Sequence, residues 1–227
     1  MSRGRRIAFR IGQAIDRSGL PALLRRIFTA LYTLYSAKDL GSFGRGSSIS
    51  PWCDIEGAEN IHFGTGTHVR SGCLLQATAM YAAALGSVAP PQQPVLRIGD
   101  GTQIGRYCHI TAKGRIEIGV RVLMGERILI ADHDHGFEDT TTAPRDQPLT
   151  VPRPVVIGDS CWIGDGAAIL AGATLGRHVV VGANAVVRGE VAPFTVVVGN
   201  PARPVRRYDE KLGKWVSLGP LKDEASE

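Results

Sequence analysis

The chain has 227 residues, enough to bury a substantial core in one domain with appendages. Its 28 glycines and 6% aromatic content suit many tight corners around small aliphatic layers; they exclude disorder, and collagen too, because glycine shows no three-residue period. The net charge of +5 is uneven: residues 1–45 hold nine Lys or Arg against two Asp, or +7, and the rest of the chain is slightly acidic.

Residues 1–45 read as a basic arm with an amphipathic helix. Leu20, Leu23, Leu24, Ile27, Phe28, Leu31 and Tyr35 recur at helical spacing, Arg25 and Arg26 interrupt on the opposite side, and Ser18 with Pro21 suits a helix start. Two roles fit. The helix can cap an open first coil, which would otherwise present an unpaired strand edge. It can also rest on an anionic membrane, with Arg3, Arg5, Arg6 and Arg10 adding attraction, so peripheral membrane contact through residues 1–35 stays open. Nucleic acid is not expected as a partner, since nothing in the body continues the basic surface. No uninterrupted apolar core precedes a small-residue cleavage site, and no run reaches the roughly 18–20 apolar residues of a membrane span. The expected location is therefore cytoplasmic, at most at the inner face of the cytoplasmic membrane.

A six-residue period fills residues 46–204. Ile49, Ile55 and Ile61 open it; after a two-residue slip come Phe63, Val69 and Leu75. It resumes with Ile98, Ile104, Ile110 and Ile116, slips by two to Ile118, Met124 and Ile130, and ends with Ile157, Ile163, Ile169, Leu175, Val181 and Val187. A period of six fits neither a helix nor a hairpin meander. It fits short parallel strands that turn a corner every six residues, aliphatic side chains inward, three strands to an 18-residue coil. Gly follows many of these aliphatics (Gly99, Gly105, Gly125, Gly164), expected because corner geometry opposes a Cβ. Three residues further on stands a small or β-branched residue, such as Thr102, Cys108, Cys161 or Ala185.

Two stretches break the period. Residues 76–97 carry an Ala-rich segment and a Pro-rich run, and residues 131–154 are polar with four prolines. A long polar insertion in a compact solenoid is more often functional than decorative. Residues 205–227 read as two short strands around Asp209–Gly213, capping the last coil with Trp215 as an apolar lid. Cys53, Cys73, Cys108 and Cys161 form no CxxC pair and read as free thiols.

The densest polar constellation is Asp132-His133-Asp134-His135, at the start of the second break. Acyl transfer to a hydroxyl or amine needs a base to take the acceptor's proton, and imidazole suits this because its pKa lies near neutrality. A neighbouring carboxylate or carbonyl can orient the ring. Either histidine can serve, given their one-residue spacing.

The repeat, the polar loop and the segments VVIGDSCWIGDGAAILAGATLGRHVVVGANAVV and VVVGNPARPVRR together resemble the hexapeptide-repeat acyltransferases. The resemblance covers about residues 46–204. It implies an all-β fold, a left-handed parallel β-helix of hexapeptide repeats with an N-terminal helical arm and a short C-terminal cap. The left hand comes from the resemblance alone, because general crossover rules favour the other. It also implies acetyl-CoA as co-substrate, no metal, and a homotrimer with sites at clefts between subunits. The His-bearing loop is similar to that of the sugar and polysaccharide O-acetyltransferases, which implies His133 as general base and His135 as an orienting or substrate-contacting partner. By the same resemblance Trp162 lies near the pantetheine arm, Asp165 near the thioester, Ala183 offers backbone groups to pantetheine, and Arg203 and Arg206 meet the phosphates. Arg forks suit phosphates on physical grounds as well.

Departures sharpen the expected acceptor. The galactoside and maltose acetyltransferases carry a carboxylate in the coil before the catalytic strand, where this chain has Ile110-Thr111-Ala112-Lys113. Residues 1–45 do not match their N-terminal module either. The closer resemblance is to acetyltransferases of lipopolysaccharide, capsule or exopolysaccharide assembly, with an N-acetyltransferase of amino sugars as the nearest rival. The γ-class carbonic anhydrases share this β-helix, but His62, His68, His109, His133 and His178 do not reproduce their ligand spacing. A non-catalytic scaffold is the remaining alternative.

Overall fold

The computed structural model describes residues 22–79 and 95–219. The Arg-rich first ten residues, the Ser18–Pro21 helix start, the middle of the first break and residues 220–227 lie outside them.

Helix α1 (Ala22–Ala37) precedes a three-sided parallel β-helix, left-handed as the family resemblance implied. The first coil holds β1 (Ser42–Phe43), β2 (Ser48–Ile49) and β3 (Asp54–Glu56); the second holds β4 (Ile61–Phe63), β5 (His68–Val69) and β6 (Leu74–Ala77). The third holds β7 (Val95–Ile98), β8 (Gln103–Ile104) and β9 (His109–Ala112); the fourth, β10 (Arg115–Ile118), β11 (Leu123–Met124) and β12 (Leu129–Ala131). The fifth holds β13 (Val155–Ile157), β14 (Trp162–Ile163) and β15 (Ala168–Ile169); the sixth, β16 (Thr174–Leu175), β17 (Val180–Val181) and β18 (Val186–Val187). β19 (Glu190–Val191) and β20 (Thr195–Val198) begin a seventh, and an antiparallel pair, β21 (Arg203–Asp209) and β22 (Lys214–Ser217), follows. Strands stack in register into three faces, and the repeat aliphatics form one buried column from Ile49 to Val197.

Several expectations need correction. The early coils are longer than 18 residues: Ser48 sits over His68 with a separation of 20, and only the late coils, as at Ser160 and His178, step by 18. The two-residue slips account for this, because both Ile116 and Ile118 are buried in β10 and the corner into the first face takes two more residues. The breaks are shorter than the sequence suggested. Gln76 and Ala77 pair with Thr111 and Ala112, and Val95–Ile98 pair with Arg115–Ile118, so the excursions span 78–94 and 132–154. The β-helix starts at Ser42 rather than 46, and the terminal pair starts at Arg203 rather than 205. That pair extends the second face instead of closing the end with a tryptophan lid. Trp215 joins a chain of inclined rings, with centroids 5.7 Å from Trp215 to Tyr208, 6.1 Å from Tyr208 to Phe194 and 5.5 Å from Phe194 to His178.

The glycine after each aliphatic is needed for a reason other than corner torsion. Gly105 has no positive φ; a Cβ there would strike the carbonyl of Gly125 on the next coil. The left-handed residue comes two positions later, at Gly46 or Gly101, but also at Tyr107, Arg127 and Asn184. Close stacking of coils, not chain reversal, selects the first glycine. Gly105→Ala is therefore expected to cost about 3 kcal/mol or more, against about 1–2 kcal/mol for Gly46→Ala, where φ is +74° but space is open. Denaturant midpoints of the two variants check this ordering.

Polar groups at fixed repeat positions tie coil to coil. Thr67 and Thr102 donate their hydroxyls to the carbonyls of Gly99 and Gly119 on the following coil, at 3.1 and 2.8 Å. Cysteine does the same at equivalent positions: Cys53, Cys73, Cys108 and Cys161 donate to the carbonyls of Arg70, Gly105, Gly125 and Gly176. All four thiols are free and buried, and burial pushes that of Cys161 up to about 11. Asp100, Asp159 and Asp165 form the second set, accepting the backbone N–H groups of Thr65, Val120 and Glu126 on the preceding coil at 2.7, 2.8 and 2.8 Å.

Helix α1 closes the open start of the β-helix through polar groups. Thr33 Oγ1 donates to the carbonyl of Ile49 and accepts its N–H, at 3.1 and 3.0 Å, and Tyr32 donates to the carbonyl of Cys53 at 2.6 Å. Phe28 packs beside Trp52 with centroids 6.2 Å apart. The other apolar residues of the stripe face outward: Leu23, Leu24, Ile27, Leu31 and Tyr35 are all exposed. Packing of that stripe against the first coil is thus not what the helix does.

Candidate active site

Both excursions leave the prism at one corner, after the third face (β6 and β12) and before the first (β7 and β13). The second excursion begins with Asp132 and returns alongside itself. Arg153 N–H donates to the carbonyl of Asp132 at 2.7 Å, Thr150 N–H to that of Asp134 at 2.8 Å, and Gly136 N–H to that of Pro148 at 2.9 Å. Its outer turn is organised by Asp139, whose carboxyl the hydroxyls of Thr142 and Thr141 hold down at about 2.

Asp132 is fully buried and every contact of its carboxylate is a donor. Lys113 N–H lies 2.9 Å from Oδ1, Gly114 N–H lies 2.7 Å from Oδ2, and His133 Nδ1 lies 2.9 Å from Oδ1. A carboxylate can only accept, so it selects the tautomer with the proton on Nδ1. The other ring nitrogen, Nε2, keeps a free lone pair, the arrangement a general base needs. The side chain of His133 is 12% exposed, sheltered but reachable. Gly114 is required beneath it, because a Cβ there would meet Pro152 at 2.8 Å and Asp132 Oδ2 at 3.4 Å.

The two histidines are now distinguished by geometry. His133 is held by a buried carboxylate, whereas His135 is exposed and belongs to an antiparallel bridge with Leu149. Sequence reasoning did not single out Asp132 as the orienting group, nor the polar ladder beside it. Along the third face Gln76 bonds Glu56, with a donor–acceptor separation of 2.5 Å, and Thr111 donates to Gln76 at 2.7 Å. One step further along the chain, Lys113 Nζ donates to Thr78 Oγ1 at 2.5 Å. Burial lowers the pKa of Lys113, against the pull of Glu56 and Asp132. His109, one coil before the loop on the same face, is pushed down by burial and then by the charge of His133. The stacking period brings these residues together, but their roles carry no periodic signal.

The residues expected at the cofactor lie elsewhere on the prism. Trp162 projects from the second face, 54% exposed, between Leu123 and Val180. The same row runs on through Val196 to Arg206, its partner on β21. Ala183 is exposed at the corner between the second and third faces, and Arg203 and Arg206 are exposed on β21. Asp165 lies at the equivalent corner of the fifth coil, where its carboxylate accepts the Glu126 N–H as Asp100 and Asp159 do elsewhere, a coil-to-coil role. Before Trp162 on the second face, an open groove of about 570 Å³ is lined by Ser50, His68, Arg70, Gln103, Arg106 and Glu126, among others. Within one chain the structure groups Trp162, Ala183 and Arg206 around the second face. It leaves His133 across the third. Among the described residues no cluster of three His, Cys, Asp or Glu is placed to hold a metal ion.

Comparison with known proteins accords with the repeat. Residues 154–189 match the family of bacterial transferase hexapeptide repeats. The chain is 34% identical over 127 residues to WbbJ of Escherichia coli K12, a protein assigned as a lipopolysaccharide biosynthesis O-acetyl transferase; the match covers 53% of this chain and 65% of WbbJ. It is 41% identical over 111 residues to Rv3034c of Mycobacterium tuberculosis, assigned as an acetyltransferase, over 49% of this chain and 37% of that one. The chain thus spans less than two thirds of the length of these curated relatives. AntD, an N-acyltransferase of Bacillus cereus solved with dTDP and coenzyme A, superposes with a TM-score of 0.63 at 18% identity, covering 79% of this chain and 90% of AntD. At that identity the likeness concerns the fold.

Proposed function

We propose that this chain, a hexapeptide-repeat protein by its coils and its matched family, is an acetyl-CoA-dependent O-acetyltransferase acting on a sugar hydroxyl of a cell-surface polysaccharide. The observation that carries this reading is the buried Asp132 carboxylate holding His133 by Nδ1, with Nε2 left as a base at the mouth of a polar loop. The assigned roles of WbbJ and Rv3034c support acetyl transfer, and that of WbbJ supports a glycan acceptor.

The reaction is direct. The acceptor hydroxyl oxygen attacks the thioester carbonyl carbon while His133 Nε2 takes its proton, and a tetrahedral oxyanion forms. Backbone N–H groups at a coil corner can stabilise that charge. Collapse expels the CoA thiolate, which recovers the proton from the imidazolium, leaving an acetyl ester and CoA. The carboxylate of Asp132 stabilises the imidazolium between these steps.

His133 and Trp162 stand on different faces of one chain, which supports the homotrimer that the resemblance implies, one copy's His133 meeting its neighbour's second face. The exposed row Leu123–Trp162 gives that face an apolar strip. The CoA arm would run along Trp162 toward Ala183, Arg203 and Arg206, and the acceptor would enter the groove lined by His68 and Gln103. No helix among the described residues is long and apolar enough to cross a membrane.

The test combines calorimetry with coenzyme A and a transfer assay on oligosaccharides from lipopolysaccharide and capsule. CoA binding, and an acetyl group that mild alkali removes from the product, are the expected results. An alkali-stable product would instead establish N-acetylation of an amino sugar, and absence of CoA binding would establish a scaffold. Trp162→Ala is expected to raise the KM for acetyl-CoA about tenfold by removing an exposed aromatic contact, with little change in kcat.

A further inference from the structure

Helix α1 is inverted relative to an ordinary cap. Its inward side is Phe28, Tyr32 and Thr33, while Leu23, Leu24, Ile27, Leu31, Leu34 and Tyr35 are 68, 46, 48, 60, 72 and 57% exposed. Spaced three or four apart, these six make one apolar stripe along the length of the helix. A continuous apolar patch of this kind on a folded surface marks an interaction site.

The charges around the stripe indicate the partner. Arg25 and Arg26 line a cleft between the helix and the first coil, with Thr29, Thr33, Ser47 and Ser48. Lys38 places its ammonium 4.7 Å from the centre of the Tyr35 ring at the other end. The helix contains no acidic residue, and the sequence before it carries Arg3, Arg5, Arg6, Arg10 and Arg17. We propose that this stripe docks on the anionic surface of a lipid bilayer, with α1 lying in the plane of the interface. Apolar side chains would enter the acyl boundary while Lys38 and the Arg-rich sequence before the helix meet lipid phosphates. A second copy of the chain suits the stripe poorly, since it would bring two arms of +7 together. The proposal rests on neither the acetyl-transfer reading nor its residues.

Co-sedimentation of the full chain with vesicles of phosphatidylcholine, alone or mixed with phosphatidylglycerol, tests it. Binding is expected with the phosphatidylglycerol mixture, weak or absent with phosphatidylcholine alone, and reduced by added salt. The double variant Ile27→Glu, Leu31→Glu is expected to lower the partition coefficient about tenfold or more, with unchanged Tm, unchanged mass by light scattering and unchanged transfer to a soluble acceptor. Should the charged variant fold poorly, Ile27→Ser with Leu31→Ser gives the same comparison. Three results would overturn the proposal. These are no preference for phosphatidylglycerol vesicles, binding unaltered or strengthened by the variants (as when residues 1–21 cover the stripe), or a fall in solution mass that identifies another copy as the occupant.

Discussion

His133→Ala is expected to lower kcat about 10²- to 10⁴-fold while Tm and CoA affinity stay close to those of the parent protein. The asymmetry follows from where the ring sits. His133 contributes one hydrogen bond, to a carboxylate that still has the backbone N–H groups of Lys113 and Gly114, so its removal strands no buried donor. The residues expected at CoA stand on other faces of the same chain, so their placement does not depend on the ring. His135→Ala, at an exposed position, is expected to change kcat by less than about tenfold, the gap expected when a residue only contacts substrate. Steady-state kinetics on both variants, with CoA calorimetry as control, check the pair. Equal and mild effects on kcat would remove His133 from the mechanism.

Asp132 is expected to show a double loss. Asp132→Ala leaves two buried backbone donors and one imidazole N–H without an acceptor, and should cost about 3 kcal/mol or more of stability. Asp132→Asn keeps the volume and one acceptor oxygen. Its NH2 group faces one of the former donors, so it should lose stability, though less than Asp132→Ala, and should lose about 10²-fold or more in kcat, because an amide no longer enforces the Nδ1–H tautomer or stabilises the imidazolium. Denaturant unfolding and kinetics on the two variants separate the contributions. If Asp132→Asn retained full kcat, the carboxylate would be a structural staple like Asp100 and Asp159 and nothing more.

Much of the architecture is legible in the sequence because a solenoid writes its core at a constant interval. Ile98, Ile104 and Ile110 occupy three faces of one coil in the order their spacing demands, and the slip at Ile116–Ile118 falls within β10, just after the corner into the first face. The interval is blind to contacts between coils. Gly105 and Gly46 look alike in the chain, yet one is fixed by a neighbouring carbonyl and the other by torsion. Asp165 is expected at the cofactor by resemblance alone, and only the hydrogen bond from Glu126 reveals its coil-to-coil role. His133 and His135 are separated by a carboxylate one residue away, a distinction of rotamer rather than of spacing. Helical periodicity in Leu23–Tyr35 identifies an amphipathic helix but not which side meets the coil; that is decided by the hydroxyls of Tyr32 and Thr33 finding the open strand edge.

Both excursions start from the same corner, and on either side of each the parallel ladder resumes in register: β7 on β4 across one, β13 on β10 across the other. Chain length at this corner is thereby uncoupled from the pitch of the prism. A loop there can be shortened, lengthened or exchanged without moving the rows that hold Trp162 or the aliphatic column. Under the proposed function, the loop that carries His133 can therefore diverge through one modular vertex while the scaffold stays fixed.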